Sequence, residues 1–469
     1  MTKQKNIVEQ VVIDDFAAEA KCIARTNGKV IFVENSAPGD EVDLRITRKK
    51  KNYLEAIPIH FYRYSDMRQE AFCSHYGTCG GCRWQHIQYT YQLNFKYKQV
   101  KDQFERIGKI ADFELLPVMG AEDTEFYRNK LEFTFSNQRW LTQYEIESDE
   151  ELDRNGLGFH KPGRFDKVLD IDKCYLQNEL SNTIRNTLKK FARSNDIPFY
   201  DLKEHVGFLR NLIVRSSNCG EIMVILQVKY MDQDLIARIL NHLTGTIPEI
   251  TSAFYIINPK RNESYQDLEA IHFSGKKFIT ERMEDLSFII GPKSFFQTNS
   301  DQAYRLYSVI RDFAGVQPHE TVYDLYTGTG SIALFIARKA NKVIGIECIE
   351  EAIADARINS EVNRIHNIEF IVGDIKEILK SDLLSDYGRP DVVITDPPRA
   401  GMHPEVIRGI LISKPDRIVY VSCNPATQAR DVHLLMENYR IVKAQPVDMF
   451  PHTQHIENVV LLKLKGLGK

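Results

Sequence analysis

The sequence predicts an α/β protein in three parts: a small N-terminal β-barrel, a mixed α+β middle and a doubly wound C-terminal sheet. Three observations carry this. Residues 1–61 hold short β-branched runs between turn residues and show no helical stripe. From residue 286 onward, strand-like runs alternate with helix-like ones, the pattern of a parallel sheet covered on both faces. Residues 62–285 mix the two periods irregularly. A chain of 469 residues exceeds what one core supports, consistent with domains at 1–61, 62–285 and 286–469.

In the first part, Ile7-Val8, Val11-Val12-Ile13, 30–33, 42–46 and 53–59 read as strands, with Asn27-Gly28 and Ala37-Pro38-Gly39-Asp40 as turns. These fit a barrel of the oligonucleotide-binding sort. The basic run Arg48-Lys49-Lys50-Lys51 is expected in the loop before the last strand. Such runs are commonly solvated faces.

One helix is legible in the middle part. Leu93, Tyr97, Val100, Phe104 and Ile107 recur at helical spacing as an apolar stripe. That leaves Lys96, Lys98, Lys101, Arg106 and Lys109 as candidates for phosphate contact. Strand-like runs follow at 130–135, 212–215, 222–228 and 253–257, and the acidic stretch 145–155 reads as a surface loop.

Four cysteines of the middle part form a constellation: Cys73, Cys79 and Cys82, the last two flanking Gly80-Gly81, with a distant Cys174. Glycines between thiols permit the tight turns of a metal centre, and four sulfurs could hold zinc or an iron–sulfur cluster. Zinc sites commonly pair two short Cys-x2-Cys hairpins, so three clustered ligands and one remote favour the cluster. Cys22, Cys219 and Cys348 lie outside every motif and are expected to be packing residues.

In the third part, Asp324-Leu325-Tyr326-Thr327-Gly328-Thr329-Gly330 joins a strand at 322–325 to a helix at 331–340. Strands at 342–347, 368–372, 391–395 and 417–421 alternate with helices at 350–363, 404–412 and 427–436, and strands near 440–448 and 458–464 close the chain. Gly328 and Gly330 permit a tight turn and close approach of a ligand to the main chain. A dinucleotide loop would carry a third glycine, and no Lys-Ser or Lys-Thr follows to cradle phosphate. Glu347 ends the second strand, where an acid commonly takes both ribose hydroxyls. Asp374 closes the third, placed for an adenine amino group. This Rossmann-like arrangement fits S-adenosylmethionine better than a dinucleotide.

Composition narrows the partners. The net charge of −3, from 61 basic and 64 acidic side chains, counts mildly against a nucleic-acid binder, though residues 83–109 carry six Lys or Arg against two acids. No apolar run approaches the ~20 residues of a membrane helix, and Met1 to Gln10 lacks the apolar core of a secretory signal. A cytoplasmic protein without a membrane partner is expected, and nothing demands more than a monomer.

Asp396-Pro397-Pro398-Arg399-Ala400-Gly401 follows the fourth strand. Asp-Pro-Pro at that place also serves enzymes that methylate exocyclic amines, but those carry an aromatic residue next and need no nucleophile. Val421-Ser422-Cys423-Asn424-Pro425 supplies one. Carbon 5 of uracil is a poor nucleophile until a thiolate adds at carbon 6, and its proton must afterwards leave. Cys423 is the nucleophile of that scheme, and Glu457 in His455-Ile456-Glu457 the base. A thiol of ordinary pKa, about 8.5, needs help to ionise, part of it expected from the helix after Pro425. The alternative for Cys423 is a small buried hydrophobe.

At these residues the chain resembles the bacterial RNA uracil-5-methyltransferases, in particular the 23S ribosomal RNA type. The segments that carry the resemblance are Ser294-Phe295-Phe296-Gln297-Thr298-Asn299, the glycine loop, the Asp396 to Gly401 loop, Ser422-Cys423-Asn424-Pro425 and His455-x-Glu457-x-Val459, in that order. The N-terminal barrel resembles a TRAM domain. The resemblance implies a class I methyltransferase domain acting on carbon 5 of a uridine in 23S rRNA, flipped out of a loop or single strand, through a covalent cysteine adduct. It implies Cys423 as nucleophile, Glu457 as base, and Gln297, Tyr326, Ser331, Glu347, Asp374 and Asp396 lining the cofactor and target-base pocket. Position 331 is often Asn in the family. It further implies a [4Fe-4S] cluster on Cys73, Cys79, Cys82 and Cys174. Competing readings are the same reaction on the T-loop of transfer RNA, and an RNA-binding or ribosome-assembly module with a spent catalytic domain. The barrel and four cysteines weigh against the first, since the transfer-RNA type usually lacks them; the intact Cys423 and Glu457 weigh against the second.

Overall fold

The computed structural model describes residues 6–26, 28–148, 152–379 and 386–466. β-branched residues alternating with polar ones give the N-terminal sheet six strands, in the order Ile7–Val12, Glu41–Lys49, Tyr53–Arg63, Lys29–Val33, Cys22–Thr26 and Asp15–Phe16. The two runs expected at the start are one bulged strand: pairing shifts between Val8 and Val11, and Gln10 takes φ 51° there. Arg48 and Lys49 lie on the strand Glu41–Lys49, so the basic run begins on the sheet rather than in a loop. The sheet buries its core against Trp84 and Phe95 of the following segment. Phe16 stacks on Phe95 with centroids 4.1 Å apart and meets the edge of Trp84 at 4.8 Å.

A seven-stranded sheet forms the middle part, ordered Arg164–Asp170, Gly156–Lys161, Lys130–Ser136, Leu209–Ser216, Ile222–Val228, Ile250–Ile257 and Ile271–Gly275. The helices Glu179–Ser194 and Gln233–Thr246, capped by the Asn178 and Asp232 side chains, bury Ile184, Leu188, Ile239 and Leu243 with it. Asn27 of the expected turn and residues 149–151 of the expected acidic loop lie outside the described residues.

The C-terminal sheet has eight strands, ordered Ile368–Val372, Lys342–Glu347, Thr321–Leu325, Val392–Thr395, Arg417–Ser422, Glu457–Leu464, Tyr439–Val447 and Glu114–Leu115. It is not parallel throughout: Glu457–Leu464 runs antiparallel to both neighbours. The helix Tyr89–Gln103 also belongs here, not to a continuous middle part at 62–285. Val100, Phe104 and Ile110 share a core with Tyr420, Val432 and Ala444, and Glu114–Leu115 pairs in parallel with Tyr439–Val447. The apolar stripe breaks where Phe104–Gly108 winds as a π turn, which rotates Ile107 outward to 48% exposure.

Lys96 is no phosphate ligand. It is wholly buried and paired with Asp448 at 2.5 Å. Lys98 and Arg106 face solvent and pair with Asp102. Cys22 is buried as expected, but Cys219 and Cys348 are exposed. No helix of the described residues is long and apolar enough to cross a membrane.

Phe95→Ala should cost about 3–5 kcal/mol, as large-to-small changes of buried aromatics do. Because Phe95 anchors the barrel, limited proteolysis should release the N-terminal part before the rest is cut. Simultaneous cleavage throughout would refute the anchoring role.

Candidate functional site

Loops at the carboxyl ends of the parallel strands converge on Cys423. The buried strand Arg417–Ser422 ends where Ser422 Oγ accepts from the Asn424 amide at 3.1 Å. Cys423 follows, half-buried, and the Asn424 side chain caps the helix Pro425–Leu435. Antiparallel pairing of Ser422 with Asn458 brings Cys423 beside Glu457, on strands about 5 Å apart. Behind them Asn458 Nδ2 donates to Gln428 Oε1 at 2.8 Å, and Gln428 Nε2 donates to the carbonyls of Tyr420 and Asn458 at 2.8 and 2.9 Å.

The neighbouring strand Val392–Thr395 delivers Asp396, and the loop after it locks onto the helix that follows Cys423. The Arg399 carbonyl accepts from Asn424 Nδ2 at 3.0 Å and Thr427 Oγ1 at 3.1 Å. Gly401 has φ 80°, and a Cβ there would stand 2.5 Å from Asp431 Oδ2. That oxygen accepts from the Met402 amide and the Tyr420 hydroxyl, both at 2.7 Å. These contacts fix the loop, and they leave the exposed Arg399 close enough to lower the thiol's pKa.

Charge decides what this cluster can do. Burial, then the Asp396 charge, raises the Glu457 carboxyl well above its ordinary range, with Arg399 opposing. Burial raises Asp396 likewise. Burial, then Glu457 and Asp396, push the Cys423 thiol up to about 11. The help expected from the following helix is thus outweighed, and the side chain that pulls the thiol down is Arg399. Sequence reasoning quoted Arg399 as a motif residue without giving it a role; its departure from the aromatic found there in amine methylases was the available signal.

The glycine loop forms the other half. Tyr326 adopts φ 65°, left-handed for a bulky residue and so strained. The Glu347 carboxylate accepts from the amides of Gly328 at 3.2 Å, Cys348 at 2.8 Å and Ile349 at 3.1 Å, which fixes it against the loop. Ser331 opens the helix Ser331–Ala337 with its Oγ 3.0 Å from the Tyr307 hydroxyl. Tyr307, buried and facing Asp396, Asp324 and Glu457, carried no sequence signal beyond a helical apolar position. Half-buried Gln297 lies on a segment drawn across the loop by Thr329 Oγ1, which donates to the Phe295 carbonyl at 3.2 Å. Asp374 does not join the buried acids. It is exposed, caps the helix Ile375–Ile378 and pairs with Lys376 at 3.0 Å, at the rim near Tyr326.

This half fits a cationic ligand that approaches the backbone. A Cβ on Gly328 would meet nothing within 4 Å, whereas one on Gly330 would stand 2.9 Å from Phe370 and 3.0 Å from Ala356. Gly330 is thus required by packing, and Gly328 faces open space. Burial raises Asp324 to about 7. Its Oδ2 accepts from Thr327 Oγ1 at 2.6 Å. Its Oδ1 has no partner of hydrogen-bonding geometry among the described residues, although the Ala333 amide faces the carboxylate. Acids held partly neutral by burial recover their charge when a positive group arrives.

The four cysteines of the middle part line a single cavity of about 180 Å³. Burial pushes Cys79 up to about 11 and Cys82 to about 12, with mutual repulsion among the thiols adding to it. Cys73 and Cys174 are raised too, mainly by burial. Gly80, at φ 78°, permits the turn, since a Cβ there would overlap Pro162 at 2.2 Å. Among the described residues no three His, Cys, Asp or Glu side chains converge closely enough for one metal ion.

Comparison with known proteins agrees with this architecture. Residues 268–465 match the tRNA (Uracil-5-)-methyltransferase family, and residues 3–59 match the TRAM domain. An uncharacterised RNA methyltransferase of Bacteroides thetaiotaomicron is 54% identical over 453 residues, which is 96% of this chain and 100% of the relative. One from Chlorobaculum tepidum is 42% identical over 97% of this chain and 96% of its own length. Among solved structures, the Pyrococcus abyssi tRNA (uracil-54, C5)-methyltransferase in complex with S-adenosyl-L-homocysteine superposes with a TM-score of 0.75. It is 31% identical and covers 97% of this chain and 100% of its own.

The two glycines predict separable defects. Gly330→Ala, strained and overpacked, should destabilise by about 2–4 kcal/mol in chemical denaturation. Gly328→Ala should cost only the left-handed strain, about 1–2 kcal/mol. Calorimetry with S-adenosyl-L-homocysteine should nevertheless find its affinity reduced, and unchanged affinity would remove Gly328 from the ligand's path.

Proposed function

The chain belongs to the RNA (uracil-5-)-methyltransferases, and we propose that it methylates carbon 5 of a uridine in 23S ribosomal RNA through a covalent Cys423 adduct. That it is an S-adenosylmethionine-dependent RNA methyltransferase follows from membership of the family. The observation that carries the mechanism is the register that sets a thiol beside a buried carboxyl, with one arginine facing both.

In this reading Cys423 Sγ adds to carbon 6 of the flipped base, and Arg399 stabilises the thiolate it needs. Extruding the base costs a few kcal/mol from a duplex and less from a loop. S-adenosylmethionine, when bound, supplies the electrophilic methyl carbon that carbon 5 takes up. Gln297, Tyr326, Ser331, Glu347 and Asp374 hold it around the glycine loop, with the acids answering its positive charge. Asp396, held partly protonated, hydrogen-bonds the polar edge of the uracil. Glu457 then takes the proton from carbon 5, the C–H electron pair re-forms the ring double bond, and the C6–S pair returns to Cys423.

The cysteine cavity supports a [4Fe-4S] cluster on Cys73, Cys79, Cys82 and Cys174. Four thiols share one buried volume, the ligand number such a cluster takes. Amides near Cys73, Cys79 and Cys174 face the sulfurs and favour their thiolates. Its role is structural or in RNA docking, because methyl transfer moves no electrons through the protein.

A second reading, the T-loop of transfer RNA, draws on the Pyrococcus neighbour. That enzyme's name gives tRNA uracil 54, and its similarity spans this chain end to end, barrel included. The barrel therefore does not separate the two targets. Quantifying 5-methyluridine in separated 23S and transfer RNA from a strain lacking the gene decides: loss from 23S RNA alone is expected, and loss from transfer RNA overturns the ribosomal target.

An RNA bearing 5-fluorouridine should form a denaturation-stable adduct with the wild-type protein and none with Cys423→Ala; an adduct in the alanine variant would end the mechanism. With a thiol near 11, the thiolate fraction rises tenfold per pH unit over the accessible range. The adduct rate should therefore climb from pH 7 to 9, and Arg399→Met should lower it about tenfold at each pH.

A further inference from the structure

Among the described residues one ion pair has both members at 0% exposure, and the mechanism does not use it: Lys96 and Asp448, joined across 352 residues of sequence. Asp448 opens the loop that leads from the strand Tyr439–Val447 to Glu457. Its Oδ1 accepts from Lys96 Nζ at 2.5 Å and its own Phe450 amide at 3.0 Å, and its Oδ2 accepts from the Tyr89 hydroxyl at 2.9 Å. Lys96 Nζ also donates to the Phe450 carbonyl at 3.2 Å. Farther along, the His452 carbonyl accepts from the amides of Arg83 and Trp84 at 2.8 and 3.0 Å, directly after Cys82. Gln92 Oε1 accepts from the His452 amide at 2.9 Å, and Gln92 Nε2 donates to the Trp84 carbonyl at 3.0 Å. Tyr127 donates to the Pro451 carbonyl at 3.1 Å. His452 is held at φ 63°, a left-handed conformation that its surroundings must enforce.

The loop that delivers the base is thus fastened to the helix Tyr89–Gln103 and to Arg83 and Trp84 just after Cys82, as well as to Met119, Asn299 and Gln302. A fully buried ion pair is a costly way to gain stability, since apolar side chains of similar size often serve as well. Its geometric demand is strict, however, because neither charge tolerates losing its partner. Resting on the reading of Glu457 as base, we propose that Lys96, through Asp448, and Gln92, through His452, are positioning residues for Glu457. Proton removal from carbon 5, rather than attack by Cys423, therefore depends on the helix Tyr89–Gln103 that follows the three clustered cysteines. Cys423 stands on a different strand, and Asn424 beside it caps the following helix and bonds the Arg399 carbonyl without touching this loop, so adduct formation survives its loosening.

The test separates the two steps. Lys96→Met strands a buried carboxylate and is at risk of not folding, so Lys96→Met/Asp448→Asn, which removes both charges, and Gln92→Leu are made beside it. Each is mixed with S-adenosylmethionine and an RNA of ordinary uridine, then quenched in denaturant. Methyl transfer in a single turnover should stay within about twofold of wild type, while steady-state kcat falls about tenfold or more for a displaced base and KM for RNA falls with it, so that kcat/KM holds. The methylated protein–RNA adduct, scarce in wild type, should accumulate. Glu457→Gln is the reference and must accumulate it too. Accumulation in Glu457→Gln but not in the folded loop variants overturns the proposal alone. Accumulation in neither overturns the base assignment and the proposal together. Methyl transfer slowed in step with kcat also overturns it.

Discussion

The site exists because one strand enters the sheet backwards. Glu457–Leu464 lies antiparallel between Arg417–Ser422 and Tyr439–Val447, and its first residue stands where the strand before Cys423 ends. In a sheet the side-chain period is two, so a slip of one residue would turn Glu457 to the opposite face. The register is held from behind by the reciprocal Gln428–Asn458 amides, buried and unable to re-form one residue along. Everything chemical in the molecule presupposes that alignment.

Electrostatics then shapes what the alignment can do. Asp324, Asp396 and Glu457 crowd a poorly hydrated space, and burial raises each above the ordinary carboxyl range. Arg399 is the cation that faces both the thiol and Glu457. The surroundings therefore favour a neutral thiol and resist accumulating negative charge. A positively charged ligand and a base edge are what such surroundings favour. The strain at Tyr326 and the open face of Gly328 lie on the side where the ligand would come.

Much of this was legible in the sequence, because the residues concerned sit in short motifs at strand ends. Alternation of strand and helix put the glycine loop, Asp396 and Cys423 at the right strand ends, while Glu457, expected just before the last strand, is its first residue. What escaped was long-range. The helix Tyr89–Gln103 shows its stripe, but nothing in its period says which sheet it covers. Lys96 looked like its exposed neighbours because pairing with Asp448 depends on a turn of chain far downstream. Asp374 was expected to close a strand, yet the strand stops at Val372, and a nearby lysine and a four-residue helix hold the acid at the rim. Tyr307 differs from other buried helix positions only in what its hydroxyl meets.

The edge strand Glu114–Leu115 carries a further consequence, for biosynthesis. It emerges from the ribosome long before Tyr439–Val447, the strand it must flank, and Lys96 likewise precedes Asp448 by 352 residues. At 5–20 residues per second that interval is on the order of half a minute. Throughout it the nascent helix holds an ammonium group that water must keep solvated. The catalytic layer thus cannot consolidate as its own residues arrive; it waits for the tail of the chain, and dehydration of that lysine is among the last events of maturation.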